Sequence, residues 1–164
     1  MERTEDGMWV AVTGHRDLDG ATVAKVRRAI ERTLTTLGPV NGISCLADGA
    51  DQIFAEEVLK AGGRIGTVIP ARDYRDAFPA PNTFDHLLER SDWVQRLDYE
   101  AGSPEAYMDA SLAMLAKADH VVAVWDGEKA RGHGGTQDVV RAARDMGLSV
   151  TVVWPEGARR TPAT

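Results

Sequence analysis

The sequence predicts an α/β fold: a doubly wound, mainly parallel sheet of five or six strands with helices on both faces, Rossmann-like in its winding. Three observations lead there. Short, mostly apolar runs of strand length recur along the chain, and strands buried on both faces of a parallel sheet read in that continuous way. Most are followed by a segment of helix length, often with an apolar stripe of helical period. Glycine and polar residues collect just after the strands, where ligands bind in such sheets.

Residues 8–13 form the first apolar run, ended by Gly14. In 21–37, Val23, Val26, Ala29, Ile30, Leu34 and Leu37 make a helical stripe that closes at Gly38-Pro39. A second strand is expected at 43–46. A second helix follows at 51–61, with Ile53, Phe54, Val58 and Leu59 inward and Gly62-Gly63 as its stop. The third strand, 65–69, is broken by Pro70. Pro70, Pro79 and Pro81 mark 71–82 as loop, followed by a short helix at 83–90 and a short strand near an edge at 93–97. Helix 104–117 opens on Pro104, favoured in a first turn. Strand 120–125, helix 136–146 closed by Gly147, and strand 149–154 ended by Pro155 complete the pattern. Alternating strands and helices joined by right-handed crossovers give the winding named above.

The 164 residues are read as a single domain, with an ordered core over about 8–155 and a mobile tail over 156–164. A chain of this length buries about two-thirds of its unfolded surface. No apolar run approaches the roughly 18 residues a membrane span needs, so no membrane partner is expected. Residues 1–6 do not resemble a signal peptide. The single cysteine, Cys45, cannot form an internal disulfide, which fits a reducing cytoplasm. With no CxxC and no paired His/Cys spacing, no metal site is expected, and no cofactor is assigned. The net charge of −6 and the scattered basic residues argue against nucleic acid as a partner. A homodimer is compatible with a small sheet bracketed by helices.

The strongest chemical signal is Arg131-Gly132-His133-Gly134-Gly135-Thr136-Gln137-Asp138, between an apolar run and a helix. Glycines there let the backbone approach a ligand, and the unpaired N–H groups of the helix favour an anion. Gly132, Gly134, Gly135 and Thr136 are the candidate phosphate site. Gly14, His15 and Arg16 leave the first strand: Arg16 suits a phosphate, and His15 a phosphate, sugar or base. In Ala47-Asp48-Gly49-Ala50-Asp51, Gly49 leaves room for a ligand, Asp48 either caps or accepts a ribose hydroxyl, and Asp51 is read as a helix cap. Tyr107 and Asp109 are further candidates for the cleft wall. Asp138 and Asp126 are the carboxylates available for any catalytic role; Asp138 equally suits the helix dipole.

These segments together resemble the SLOG superfamily, which groups the DNA-processing protein A (Smf) proteins with the lonely-guy cytokinin-activating enzymes. Ser44-Cys45-Leu46-Ala47-Asp48-Gly49-Ala50-Asp51, with Ala55 and Ala61-Gly62-Gly63, resembles the SGLARGID…AL…GG signature of the DNA-processing branch. Val12-Thr13-Gly14-His15-Arg16 is similar to the first-strand turn of small stand-alone members. Gly132 to Thr136 resembles the lonely-guy GGxGT loop. The resemblance runs in order from Val10 to Val153 and implies a Rossmann-like fold with a nucleotide-type pocket. The departures bear on activity. The lonely-guy PGGxGTxxE motif has a glutamate where this chain has Val139, and Asp138 is one residue early, about 100° away on a helix. The MxxRK motif is unmatched, since Met108 is followed by Ser111 and Leu112, and Asp48 stands where the DNA-processing branch has arginine.

The expected function is binding of a nucleotide or nucleotide-derived small molecule at the carboxyl edge of the sheet. Two alternatives stand beside it: a nucleoside-monophosphate phosphoribohydrolase or related N-glycosidase of lonely-guy type, and single-stranded DNA binding of the DNA-processing type.

Overall fold

In the computed structural model, residues 7–128 and 135–161 are described. Strands β1 (Met8–Gly14), β2 (Val40–Ser44), β3 (Ile65–Ile69), β4 (Trp93–Arg96), β5 (His120–Val124) and β6 (Val150–Val153) alternate with helices. The helices are α1 (Gly20–Leu37), α2 (Ala50–Lys60), α3 (Asn82–Glu89), α4 (Pro104–Ala116) and α5 (Thr136–Asp145). The six strands form one sheet in the order β4-β3-β2-β1-β5-β6, every adjacent pair parallel. The sheet grows one way from β1 through β4 and the other way through β5 and β6. The order therefore reverses between β1 and β5, and a crevice opens there beyond the strand ends.

Alternation along β1 divides the core. Val10 and Val12 pack with Val26 and Ile30 of α1, Phe54 and Val58 of α2, and Phe84 and Leu87 of α3. Ala11 points the other way, into a cluster with Ile43, Val68, Ala110 and Met114 of α4, and Val139 and Ala143 of α5. Adjacent side chains on a strand face opposite sides, so two layers of helix are needed to bury both.

Three local features depart from the sequence reading. The second strand is Val40–Ser44 rather than 43–46. Its polar start is tolerated because the buried Asn41 accepts the Arg64 N–H through Oδ1 at 3.0 Å. At Gly42 a Cβ would lie 2.7 Å from the Phe54 ring. Within the expected loop 71–82, Tyr74–Ala77 forms a 3-10 turn and α3 already begins at Asn82. The third difference is at the end of the chain. Residues 156–161, read as a mobile tail, are held against the β1–α1 connection. Asp19 N–H donates to the Arg159 carbonyl (3.2 Å), Thr161 N–H to the Asp17 carbonyl (2.6 Å) and Arg159 N–H to Thr22 Oγ1 (2.6 Å), and Leu18 bridges Arg160 antiparallel. No helix among the described residues is long and apolar enough to cross a membrane.

Candidate functional site

A cavity of about 390 Å³ lies at the reversal point, walled by residues from the carboxyl ends of β1, β2, β3 and β5. This is within the size range of small-molecule sites. Its flank beyond β5 is made by Gly135, Thr136, Gln137 and Val139 at the start of α5. Gly135 caps that helix without a side chain, and the N–H groups of Thr136 and Gln137 have no partner among the described residues. Two unpaired donors at the positive end of a helix dipole favour an anion. Gly132 and Gly134, the other glycines of the expected phosphate loop, lie outside the described residues.

The middle of the cavity is the β1 exit. Gly14 is required by packing: a Cβ there would lie 2.5 Å from that of Ala50 and 2.8 Å from that of Val124. His15 is 5% exposed, packs edge-on against Trp154 (5.5 Å), and sets Nε2 3.2 Å from the Asp126 backbone N–H and 3.1 Å from its carboxylate. Burial, aided by the nearby Arg160 charge, pushes the imidazole below its ordinary range. A neutral ring accepting from Asp126 N–H ties the end of β5 to the end of β1 and makes His15 a positioning residue as well as a wall. Arg16 is exposed, its guanidinium 5.1 Å from the Tyr107 ring centre, so the cation and the ring close over the cavity together.

A second cation comes from the carboxyl-terminal segment. Arg160, only 10% exposed at its side chain, reaches the cavity wall through its pairing with Asp17 (Nε to Oδ1, 3.0 Å) and stands 3.9 Å from Asp126. Asp126 is thereby engaged by His15, Arg160 and the Glu128 N–H (2.9 Å) and does not line the cavity. Asp138, in the first turn of α5, does not line it either. Val139, 2% exposed, does, at the position where the lonely-guy motif has its glutamate.

The loop after β2 is built by its own side chains. Ser44 Oγ accepts the Leu46 N–H (3.0 Å) and donates to the Asp51 carbonyl (3.2 Å), while Gln52 Nε2 donates to the Leu46 carbonyl (3.1 Å). Together they hold Leu46 at φ 59, in the left-handed region that a non-glycine residue rarely adopts. Gly49, at φ +84, presses against the β1 exit, where a Cβ would lie 2.7 Å from the His15 carbonyl oxygen. Its missing side chain thus makes room for the chain itself, and Asp48 is exposed outside the cavity wall. The residue of this loop that enters the cavity is Asp51. It does not cap α2, whose N-cap is Gly49. Its Oδ2 accepts the Ala47 N–H (3.3 Å), and burial raises its pKa to about 7, against the opposing pull of Arg16 and that hydrogen bond.

Beyond β3 the wall is Pro70 and Tyr74. Tyr74 is 3% exposed and packed edge-on against Phe78, Phe84 and Tyr107 (5.2, 5.7 and 6.2 Å), and its buried hydroxyl has no hydrogen-bond partner among the described residues. Cys45, Ser111 and Met114 complete this flank; burial pushes the Cys45 thiol well up. Tyr107 lines the cavity as expected, whereas Asp109 accepts from Tyr99 and does not. Sequence reasoning missed Arg160 because the tail has no periodic pattern, and Tyr74 because prolines flank its turn. No group of three or more His, Cys, Asp or Glu stands ready for a metal among the described residues.

No family model and no curated protein sequence matches the chain. Solved structures do. DNA processing protein A from Streptococcus pneumoniae superposes with a TM-score of 0.67 at 18% identity, over 92% of this chain and 51% of that one. The chain thus spans about half the length of that protein. TM1055 superposes at 0.58 with 20% identity, over 88% of this chain and 72% of its own. DNA processing protein A from Helicobacter pylori, whose structure is described for its single-stranded DNA binding mode, superposes at 0.64 with 16% identity, over 98% and 72%. The chain has the Rossmann-like fold of these proteins. That is the fold the SLOG resemblance implied.

Proposed function

We propose that the protein binds a nucleotide or nucleotide-derived small molecule, with its phosphate at the start of α5. The observation that carries this reading is the shared cavity: N–H groups of Thr136 and Gln137 without a partner among the described residues, a largely buried Arg160 side chain and an exposed Arg16 meet at the reversal point of a parallel sheet. Each element alone has a structural use; their convergence on one half-open cleft supports an anionic, partly planar ligand. Calorimetric titration with AMP, GMP, CMP, UMP and IMP tests it. Gly135→Val is expected to weaken binding at least tenfold in a folded protein, because the added branch occupies the space at the helix end. Unchanged affinity in a folded variant removes α5 from the site.

A second reading, hydrolysis of the N-glycosidic bond, draws support from Asp51, a cavity carboxyl with its pKa raised to about 7. Raised carboxyls suit general acid-base work. It ranks below binding because Asp138 is off the wall and the lonely-guy glutamate position is Val139.

A further inference from the structure

The flank of the cavity away from α5 holds polar groups whose hydrogen-bonding capacity the fold leaves partly or wholly unused. The Tyr74 hydroxyl is buried and has no partner among the described residues, and the ring is fixed by three aromatic neighbours. A buried hydroxyl left without a partner is costly in the free protein, and a ligand that supplies one recovers that cost. On the same flank, Asp51 takes one hydrogen bond, from Ala47 N–H, and its carboxyl lines the cavity. The helix-end N–H groups of Thr136 and Gln137 and the Arg160 guanidinium, itself paired with Asp17, stand at the other flank, which is where the nucleotide reading puts the phosphate.

The sheet order sets the span. From β5, which carries the phosphate flank, the strands run β1, β2, β3, with Asp51 following β2 and Tyr74 following β3. At about 4.8 Å per strand the two flanks are separated by about 10–14 Å. This is the reach of a nucleoside monophosphate from its phosphate to the far edge of its base. We propose that Asp51 and Tyr74 form a base-recognition subsite selective for an amino-bearing base (adenine, guanine or cytosine). The Asp51 carboxyl accepts from the exocyclic amine, and the Tyr74 hydroxyl bonds the neighbouring ring nitrogen or carbonyl. Uracil and hypoxanthine turn a carbonyl oxygen toward the carboxylate and are disfavoured. The inference rests on the nucleotide reading above.

Calorimetry on the full chain at about pH 8.5, where the Asp51 carboxyl is ionised and accepts only, with the pairs CMP/UMP and AMP/IMP tests it, alongside melting temperatures without ligand. The wild type is expected to favour the amino-bearing member of each pair at least about tenfold, the scale of a hydrogen bond to a charged group. Asp51→Asn, whose carboxamide offers an N–H to a carbonyl, is expected to erase or reverse that preference. Tyr74→Phe is expected to weaken CMP and AMP about tenfold with no fall in melting temperature, because the hydroxyl it removes has no partner in the free protein. Equal affinities within each pair overturn the subsite and leave nucleotide binding standing. So do variants that bind as the wild type does, or a Tyr74→Phe that melts lower with affinity unchanged. Absence of binding to all five monophosphates overturns both readings.

Discussion

Asp51 has the residue type of a helix cap at the start of a helix, yet it serves another purpose. The cap position is Gly49, two residues earlier, because α2 begins where the chain turns against the His15 carbonyl, which accepts the Ala50 N–H at 3.2 Å. The carboxyl is left buried, with its pKa raised by desolvation to about 7. Its unfolded value lies near 3.9, so between about pH 4 and 7 the folded state holds a proton that the unfolded state has lost. Stability from this group is therefore full below about pH 4, falls as pH rises toward 7, and is level above that. Asp51→Asn removes the decline. At pH 8 the variant is expected to be more stable than the wild type by at least about 2 kcal/mol, or about 4–8 °C in Tm. The gap is expected to close near pH 4. His15, with its pKa lowered, acts oppositely, losing stability as pH falls below about 6.5; it is common to both proteins and cancels in the difference. A gap independent of pH would show that Asp51 is not buried as a charge. Val139 carries a second expectation at this scale. Free base released from AMP, GMP, CMP, UMP or IMP, followed by chromatography, is expected to be slow or absent, and Asp138→Asn is expected to leave it unchanged. Rapid release abolished by Asp138→Asn would restore the hydrolase reading.

At the scale of elements, the carboxyl-terminal segment supplies a cavity residue that local pattern did not reveal. Arg160 is positioned by backbone pairing of 159–161 with 17–19, and its guanidinium fills the space between Asp17 and the cavity. Arg160→Gln is expected to weaken AMP about tenfold while leaving adenosine, which lacks the phosphate, within about twofold; paired titrations check this. An equal loss for both would mean that Arg160 shapes the cavity rather than meeting an anion. The loop after β2 teaches a related lesson. Its resemblance to SGLARGID was visible in the sequence, as was the need for Gly49. The purpose of each position was not, because Gly49 avoids the His15 backbone and Asp51 enters the cavity only once β1 and β2 lie side by side.

For the whole molecule, the net charge of −6 bears on the single-stranded DNA alternative. Counterion release from phosphate contacts supplies most of the affinity for a nucleic-acid strand. Arg16 is exposed, and Asp48 stands exposed on the neighbouring loop. At about 0.15 M salt, anisotropy titration with a single-stranded oligonucleotide is expected to show no binding tighter than micromolar. Micromolar or tighter binding that weakens steeply with salt would put the DNA reading first.

The sequence by itself determined the winding of this protein. Buried parallel strands must be apolar throughout, covering helices must carry apolar stripes, and chirality leaves one hand for the crossovers. It also pointed to the carboxyl ends of the strands as the ligand-facing edge, since ligand sites in such sheets fall there. His15, Arg16, Thr136 and Tyr107 were named from the sequence and line the cavity; tertiary structure decided the rest. Gly49 and Asp126 are drawn into contacts with the chain itself, whereas Asp51, Tyr74 and Arg160 arrive from a helix start, a 3-10 turn and a terminal segment. A side chain's role at a site depends on neighbours brought close by the sheet order, and separation along the chain, 144 residues between Arg16 and Arg160, gives no measure of that proximity.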